Sequence, residues 1–347
     1  MIYVADTSPD GVLCYFHLVA MIYKLVALNS ASIDARQPFS PSYTTRIMES
    51  ESPSVENLNM PLSSYEYYIM GLVLTAEGIL GILFNGMLLV VFLTNTSLRR
   101  PQSVLAISLC IGDLGIGLMC PFAAMASFKE NWLYGDQGCQ LYASAGMLFG
   151  TVSITSLVSV AVDKYYSAIG NPGGGKAYPI VASAIWLNAV FWAVTPLPFV
   201  GWGRYAIEPQ KTTCMLDFAA HGAPYVSYLV AMMGVVYVVP MGVVTWCLMK
   251  LREVGRTEDT KKIAAKKEAA MTCVLVLLSL VVYWGAYGVV ALWAAADDID
   301  NVPIQLVAAA PLMAKICPIG NAVLQGLTNQ SLRSFDGEES RAADKKK

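Results

Sequence analysis

Seven apolar runs fill most of the chain, at roughly 67–94, 102–127, 138–164, 176–200, 223–251, 268–296 and 302–328. Each is about 20 residues or longer, the length a helix needs to cross the hydrocarbon core of a bilayer. In lipid every backbone N–H and C=O must be satisfied internally, so such runs can only be helices. The composition agrees: 56% of the 347 residues are hydrophobic and 14% charged, against about 25% charged in a soluble domain. The expected fold is an all-α membrane protein, a seven-transmembrane helix bundle at 65–328, with the lipid bilayer as its solvent.

Charge in the loops gives the expected orientation. Sixteen of the 23 Lys and Arg residues fall in one set of loops and the tail: Arg99, Arg100, Lys164, Lys176, Lys250, Arg252, Arg256, Lys261, Lys262, Lys266, Lys267, Arg333, Arg341 and Lys345 to Lys347. The opposite loops carry Lys129, Arg204, Lys211 and the acidic group Asp297, Asp298 and Asp300. The positive-inside rule makes the first set cytoplasmic, with the N-terminus outside and the C-terminus inside. Cys139 and Cys214 then share the outer face, an oxidising compartment where a disulfide persists. The other cysteines form no CxxC or Cys/His cluster, and His17 and His221 are the only histidines, so no zinc site is expected. No basic stripe suggests nucleic acid.

Residues 1–64 read as an extracellular, poorly ordered tail. Gly11 to Leu28 is moderately apolar but contains His17 and Lys24, and Asp6 and Asp10 stand where a signal peptide has basic residues. Met48 and Met60 lie downstream, so the alternative reading of this stretch is a start codon placed too early. Residues 329–347 read as a short, polar cytoplasmic tail with no cysteine for palmitoylation.

One full charge, Lys315, sits near the middle of the last apolar run. A charge at the bilayer centre costs about 2.5–3.5 kcal/mol on insertion scales and usually serves a function. Two readings are open from the residue alone. It can pair with a carboxylate as a structural cation, or supply a desolvated amine that condenses with an aldehyde to a Schiff base. Glu77 in the first run is a second intramembrane acid. It can face a polar cavity, pair with a neighbour or, less readily, balance a buried cation.

Particular residues narrow the choice. Asn85 in the first run, Asp113 in LAISLCIGDLG, Asp163-Lys164-Tyr165 at the end of the third, Trp186 in the fourth and Pro240 in the fifth occur in order. Together they resemble the rhodopsin-like receptors over roughly residues 65–335. Lys315 lies 31 residues after Trp284 and six before Asn321, which resembles the retinal-binding lysine of opsins. YWGAYG around Trp284 and Tyr287 is similar to the aromatic wall of an opsin pocket, although bundle packing would also use such rings. The loop GWGRYAIEPQKTTCMLDF is opsin-like as well. Within opsins, YGDQGCQ, this loop and APLMAKICPIGNA are most similar to the peropsin, retinal G-protein-coupled receptor and retinochrome photoisomerase branch.

The resemblance implies retinal held on Lys315 as a protonated Schiff base, in a pocket shaped by Trp284, Tyr287, Tyr142 and Gly150. A buried cation needs an anion nearby. Vertebrate visual opsins place a carboxylate three residues after the cysteine of the third span, but here that residue is Tyr142. Glu208, six residues before Cys214, stands where other opsins keep their counterion; the competing reading is a solvated loop glutamate. The resemblance implies all-trans retinal in the dark and a light-driven change to 11-cis.

Several parts of a receptor switch depart from the family pattern. Lys164 replaces the triplet arginine, Ala322 and Gln325 replace the proline and tyrosine of the seventh-span motif, Ala286 replaces the sixth-span proline, and Leu248 replaces a tyrosine after Pro240. Loss of two prolines removes two hinges. The expected function is therefore a retinal photoisomerase. The alternatives are a light-activated receptor whose G protein docks on the basic third loop, and a receptor for a diffusible ligand.

Overall fold

The computed structural model describes residues 62–220, 222–253, 259–296 and 299–329. Most of the expected extracellular tail, the tail beyond Asn329, and Arg256, Asp297, Asp298 and His221 lie outside these. Among the described residues seven helices are long and apolar enough to cross a membrane: α1 (Ser64–Thr94), α2 (Ser103–Phe128), α3 (Gly135–Ala168), α4 (Ala177–Val194), α5 (Ala223–Glu253), α6 (Thr260–Ala296) and α7 (Ile304–Thr328). Between α4 and α5 lies a short antiparallel hairpin, β1 (Tyr205–Ile207) and β2 (Cys214–Leu216), with Ile207 opposite Cys214.

Local sequence sets the helix ends. Ser63 caps α1 through a capping box with Glu66: the Glu66 N–H donates to the serine hydroxyl and the Ser63 N–H donates to the glutamate at 2.7 Å. The fourth span, expected to reach 200, ends at Val194, because Pro196 and Pro198 follow at once and cannot continue a helix. The sixth, expected from 268, begins at Thr260, where the Asp259 carboxylate accepts from the N–H groups of Lys261 and Lys262. Lys261, Lys262, Lys266 and Lys267 therefore belong to the first turns of α6 and not to a loop.

Helices α1 to α4 pack in sequence, α5 packs on α3 and α6, and α7 closes the ring against α1, α2 and α6. Helix α3 is the central post: 72% of its most apolar window is buried, against 28% for α1. Large apolar side chains such as Leu187, Val230 and Leu292 point outward, as a lipid-facing surface requires.

Two π-helical turns interrupt the bundle, Met233–Val238 in α5 and Leu280–Trp284 in α6. Such turns loosen the hydrogen-bond ladder and mark kinks. The second ends two residues before Ala286, so α6 keeps an irregular turn where the sequence suggested a lost hinge.

Candidate functional site

The disulfide end of the bundle carries the site. Cys139 at the start of α3 is bonded to Cys214 at the start of β2, with Cα atoms 5.4 Å apart. This bond holds the hairpin down on the bundle. Arg204 and Asp217 pair at 2.6 Å, Tyr205 donates to the Ala193 carbonyl at 3.0 Å, and the Tyr67 hydroxyl reaches the Gln210 carbonyl from α1 at 3.1 Å. Trp202 stacks among Trp192 and Tyr228 with centroids 5.8 and 5.4 Å away. Gly203 adopts φ +94°, and a Cβ there would meet the Tyr228 ring at 3.0 Å, so only glycine fits comfortably.

Glu208 follows β1 directly and begins a turn. Its carbonyl accepts from the Lys211 N–H at 2.8 Å, and Pro209 supplies the fixed φ that the second turn position favours. The turn aims the Glu208 side chain inward, where it is 3% exposed and both carboxylate oxygens lack a hydrogen-bond partner. The solvated-loop reading is thereby excluded. Burial is the largest influence on this carboxyl and pushes it above the usual carboxylate range. Thr213, the charge of Lys315, Gln210 and Tyr287 act in the opposite direction.

Lys315 lies on the inner face of α7 and is 7% exposed. Its Nζ is 5.6 Å from the centroid of the Tyr142 ring on α3, a cation–π approach. The Tyr142 hydroxyl has no partner. Lys315, Tyr142 and Glu208 therefore form one buried polar group, each within the electrostatic reach of the others. Tyr287 of α6 joins it through Glu208.

Beside this group is a largely apolar cavity between α3, α5, α6 and β2, lined by Met147, Gly150, Thr151, Phe218, Met232, Tyr237, Trp284 and Tyr287 among others. A Cβ at Gly150 would lie 2.7 Å from Cη2 of Trp284, so the glycine makes room for the indole. Tyr287 also stacks on Phe218 at 6.5 Å. The structure thus brings Gly150, Trp284 and Tyr287 to one cavity. Lys315, Tyr142 and Glu208 do not line the cavity; Tyr287, which does, connects it to Glu208. A buried amine and a buried carboxylate near a largely apolar, aromatic-lined cavity are an arrangement that can take an apolar molecule with one polar, carbonyl-bearing end.

The opposite end holds the polar triplet. Asp163 accepts from the Tyr178 hydroxyl at 2.6 Å, and Tyr165 stacks on Trp246 at 5.5 Å. Lys164 forms an ion pair with Glu268 of α6 and donates to the Thr328 carbonyl of α7 at 3.1 Å. Midway, Asp113 accepts from Ser153 at 2.6 Å and from Asn321 at 3.2 Å, and Asn85 donates to the Pro318 carbonyl at 3.0 Å. The sequence reading missed Glu268 and Ser153. Only the third dimension brings them near Lys164 and Asp113.

The description "7 transmembrane receptor (rhodopsin family)" matches residues 84–321. The visual pigment-like receptor peropsin of Homo sapiens is 27% identical over 78% of this chain and 84% of its own length. The RPE-retinal G protein-coupled receptor of Mus musculus is 30% identical over 76% of this chain and 87% of its own. The crystal structure of squid rhodopsin superposes with a TM-score of 0.66 at 21% identity, covering 80% of this chain and 85% of that one. With its seven spans, its Cys139–Cys214 bond and these relatives, the chain belongs to the rhodopsin family of seven-transmembrane receptors, as an opsin near peropsin and the RPE-retinal receptor.

Proposed function

We propose that this opsin binds retinal on Lys315 and acts as a light-driven retinal photoisomerase, all-trans to 11-cis. The observation that carries this reading is a buried amine against the Tyr142 ring, with an unpartnered buried carboxylate, Glu208, in its field and an aromatic cavity alongside. Retinal, when bound, supplies light absorption and the bond that turns. Lys315 offers the amine that joins the aldehyde carbon with loss of water. Glu208 serves as counterion, so that the nitrogen keeps its proton. Trp284, Gly150 and Tyr287 narrow the cavity and select which bond can rotate, while the Tyr142 ring stands over the amine. The basic end faces the cytoplasm, following the positive-inside rule.

Isomer analysis of retinal extracted before and after illumination tests this. The expected result is all-trans in the dark and a growing 11-cis fraction in light. An 11-cis dark state that light converts to all-trans would contradict it.

A second reading, a light-activated receptor for a G protein, is favoured by the π turn at Leu280–Trp284, which gives α6 a site to bend despite Ala286. Nucleotide exchange on a G protein under illumination separates the two: robust exchange supports the receptor, and background exchange supports the isomerase.

A further inference from the structure

Glu77 is the one charged residue of α1 inside the apolar span, and no role above uses it. It is 5% exposed, and its Oε2 has no hydrogen-bond partner. A carboxylate so placed is costly unless a cation answers it.

The register between α1 and α7 shows which cation does. Both helices cross in the same direction. Gly81 faces Pro318, with a Cβ built there 3.3 Å from the proline Cβ, and Asn85, one turn further, donates to the Pro318 carbonyl at 3.0 Å. Residues 77, 81 and 85 share one helix face at i, i+4 and i+8. One turn before Gly81, Glu77 therefore comes level with Ala314 and Lys315. Gly78 brings α1 equally close to α2, since a Cβ there would lie 2.9 Å from Cys120 Cβ. The field of Lys315 reaches Glu77, and Cys120 stands in the field of both.

We propose that Glu77 is a second anion for the Lys315 nitrogen, acting from the α1–α2 side while Glu208 acts from the outer hairpin. This rests on Lys315 as the reactive amine but not on Glu208 as its sole counterion. The titratable and charged groups facing the nitrogen are then Glu77 from α1, Cys120 from α2, Tyr142 from α3 and Glu208 from the hairpin, with Tyr287 of α6 behind Glu208. Tyr142, Cys120 and Glu208 act on Lys315 and Lys315 acts on Glu77; on this proposal Glu77 is the lesser anion. It keeps a smaller fraction of the nitrogen charged when Glu208 is neutral.

Two readouts test the proposal on full-length protein in detergent. In retinal-free protein, the pH dependence of reductive methylation of Lys315 by formaldehyde and cyanoborohydride is followed by peptide mass spectrometry. Removing a nearby anion makes the amine lose its proton more easily, so in Glu77→Gln half-reactivity should move down by about one pH unit, the low end of what an opposite charge in range produces. Glu77→Asp, which keeps the charge, should titrate like the unmodified protein and shows that the site tolerates a change there. Equal titration of Glu77→Gln and the unmodified protein overturns the proposal.

The second readout is the visible band of the retinal-loaded protein against pH. Loss of the visible form should move to lower pH in Glu77→Gln, further in Glu208→Gln and furthest in the double variant. A double variant that titrates like Glu208→Gln overturns the proposal. If no variant, nor the unmodified protein, forms a Lys315-dependent band, the retinal reading fails, while the methylation result still decides the role of Glu77.

Discussion

At the basic end of the bundle and midway most buried polar groups answer one another: Lys164 with Glu268 and Thr328, Asp163 with Tyr178, Asp113 with Ser153 and Asn321. Asn85 Oδ1, Asn95 Nδ2 and Gln325 Oε1 are left there without a partner. At the disulfide end Tyr67, Tyr205 and Tyr228 are likewise bonded, but more groups are not. Glu77, Tyr142, Glu208, Gln210, Thr212 and Tyr225 all carry buried oxygens without a partner. Buried polar atoms are nearly always hydrogen-bonded, so such a concentration needs an explanation. A binding site supplies one, because its polar groups are set for a guest and not for each other. The contrast is one of degree: the disulfide end holds more buried polar atoms without a partner than the basic end. It fits a protein whose work is done on a bound molecule.

The largest expected effect on that contrast comes from Lys315→Ala. It should abolish the visible band formed with all-trans-retinal; a band that survives removes the amine from the account. Next, Glu208→Gln should move most of the band to the ultraviolet at neutral pH, because the nitrogen loses its main anion. A band left in place there would shift the counterion role to Glu77.

A smaller effect follows from packing. A methyl at Gly150 must displace the Trp284 indole from 2.7 Å. Gly150→Ala should cost about 1–3 kcal/mol of stability through overpacking and lower the yield of pigment. Thermal unfolding and regeneration measure both, and an unchanged midpoint would mean that the indole moves freely. Smallest is the lock at the other end. Glu268→Gln removes the partly exposed partner of Lys164 and should cost at most about 1 kcal/mol. Light-dependent nucleotide exchange should stay at background with the lock intact or broken. Exchange that appears only in Glu268→Gln would reveal a receptor held shut.

The raised Glu208 carboxyl also gives a pH test. Its folded form holds the proton to higher pH than the unfolded chain, where glutamate ionises near ~4.3. Its contribution to stability is therefore complete below that value and is lost as pH climbs through the folded value. In the retinal-free protein a carboxylic-acid carbonyl band in the infrared should persist to higher pH than that of a solvated glutamate and vanish in Glu208→Gln. A band that titrates at the solvated value contradicts the burial argument.

Much of this was legible in the sequence. Hydropathy alone located the seven spans, since lipid leaves no other option for such runs. Glu208 was singled out by resemblance, since it stands six residues before Cys214 where other opsins keep their counterion; the structure shows it buried. What the sequence hid depends on contacts between helices. Nothing local links Glu77 to Lys315; only the parallel register of α1 and α7, set by Gly81 against Pro318, places them level. Lys164 and Glu268 are 104 residues apart. The π turns in α5 and α6 have no composition of their own, so the substitution at Ala286 looked like a lost hinge.

The central claim is that the Lys315 amine captures retinal. Borohydride reduction of the protein incubated with all-trans-retinal, followed by peptide mass spectrometry, tests it directly. The account expects a retinyl group fixed on the peptide that contains Lys315 and on no other lysine. An unmodified Lys315 peptide, or retinyl mass on a different lysine, would contradict it.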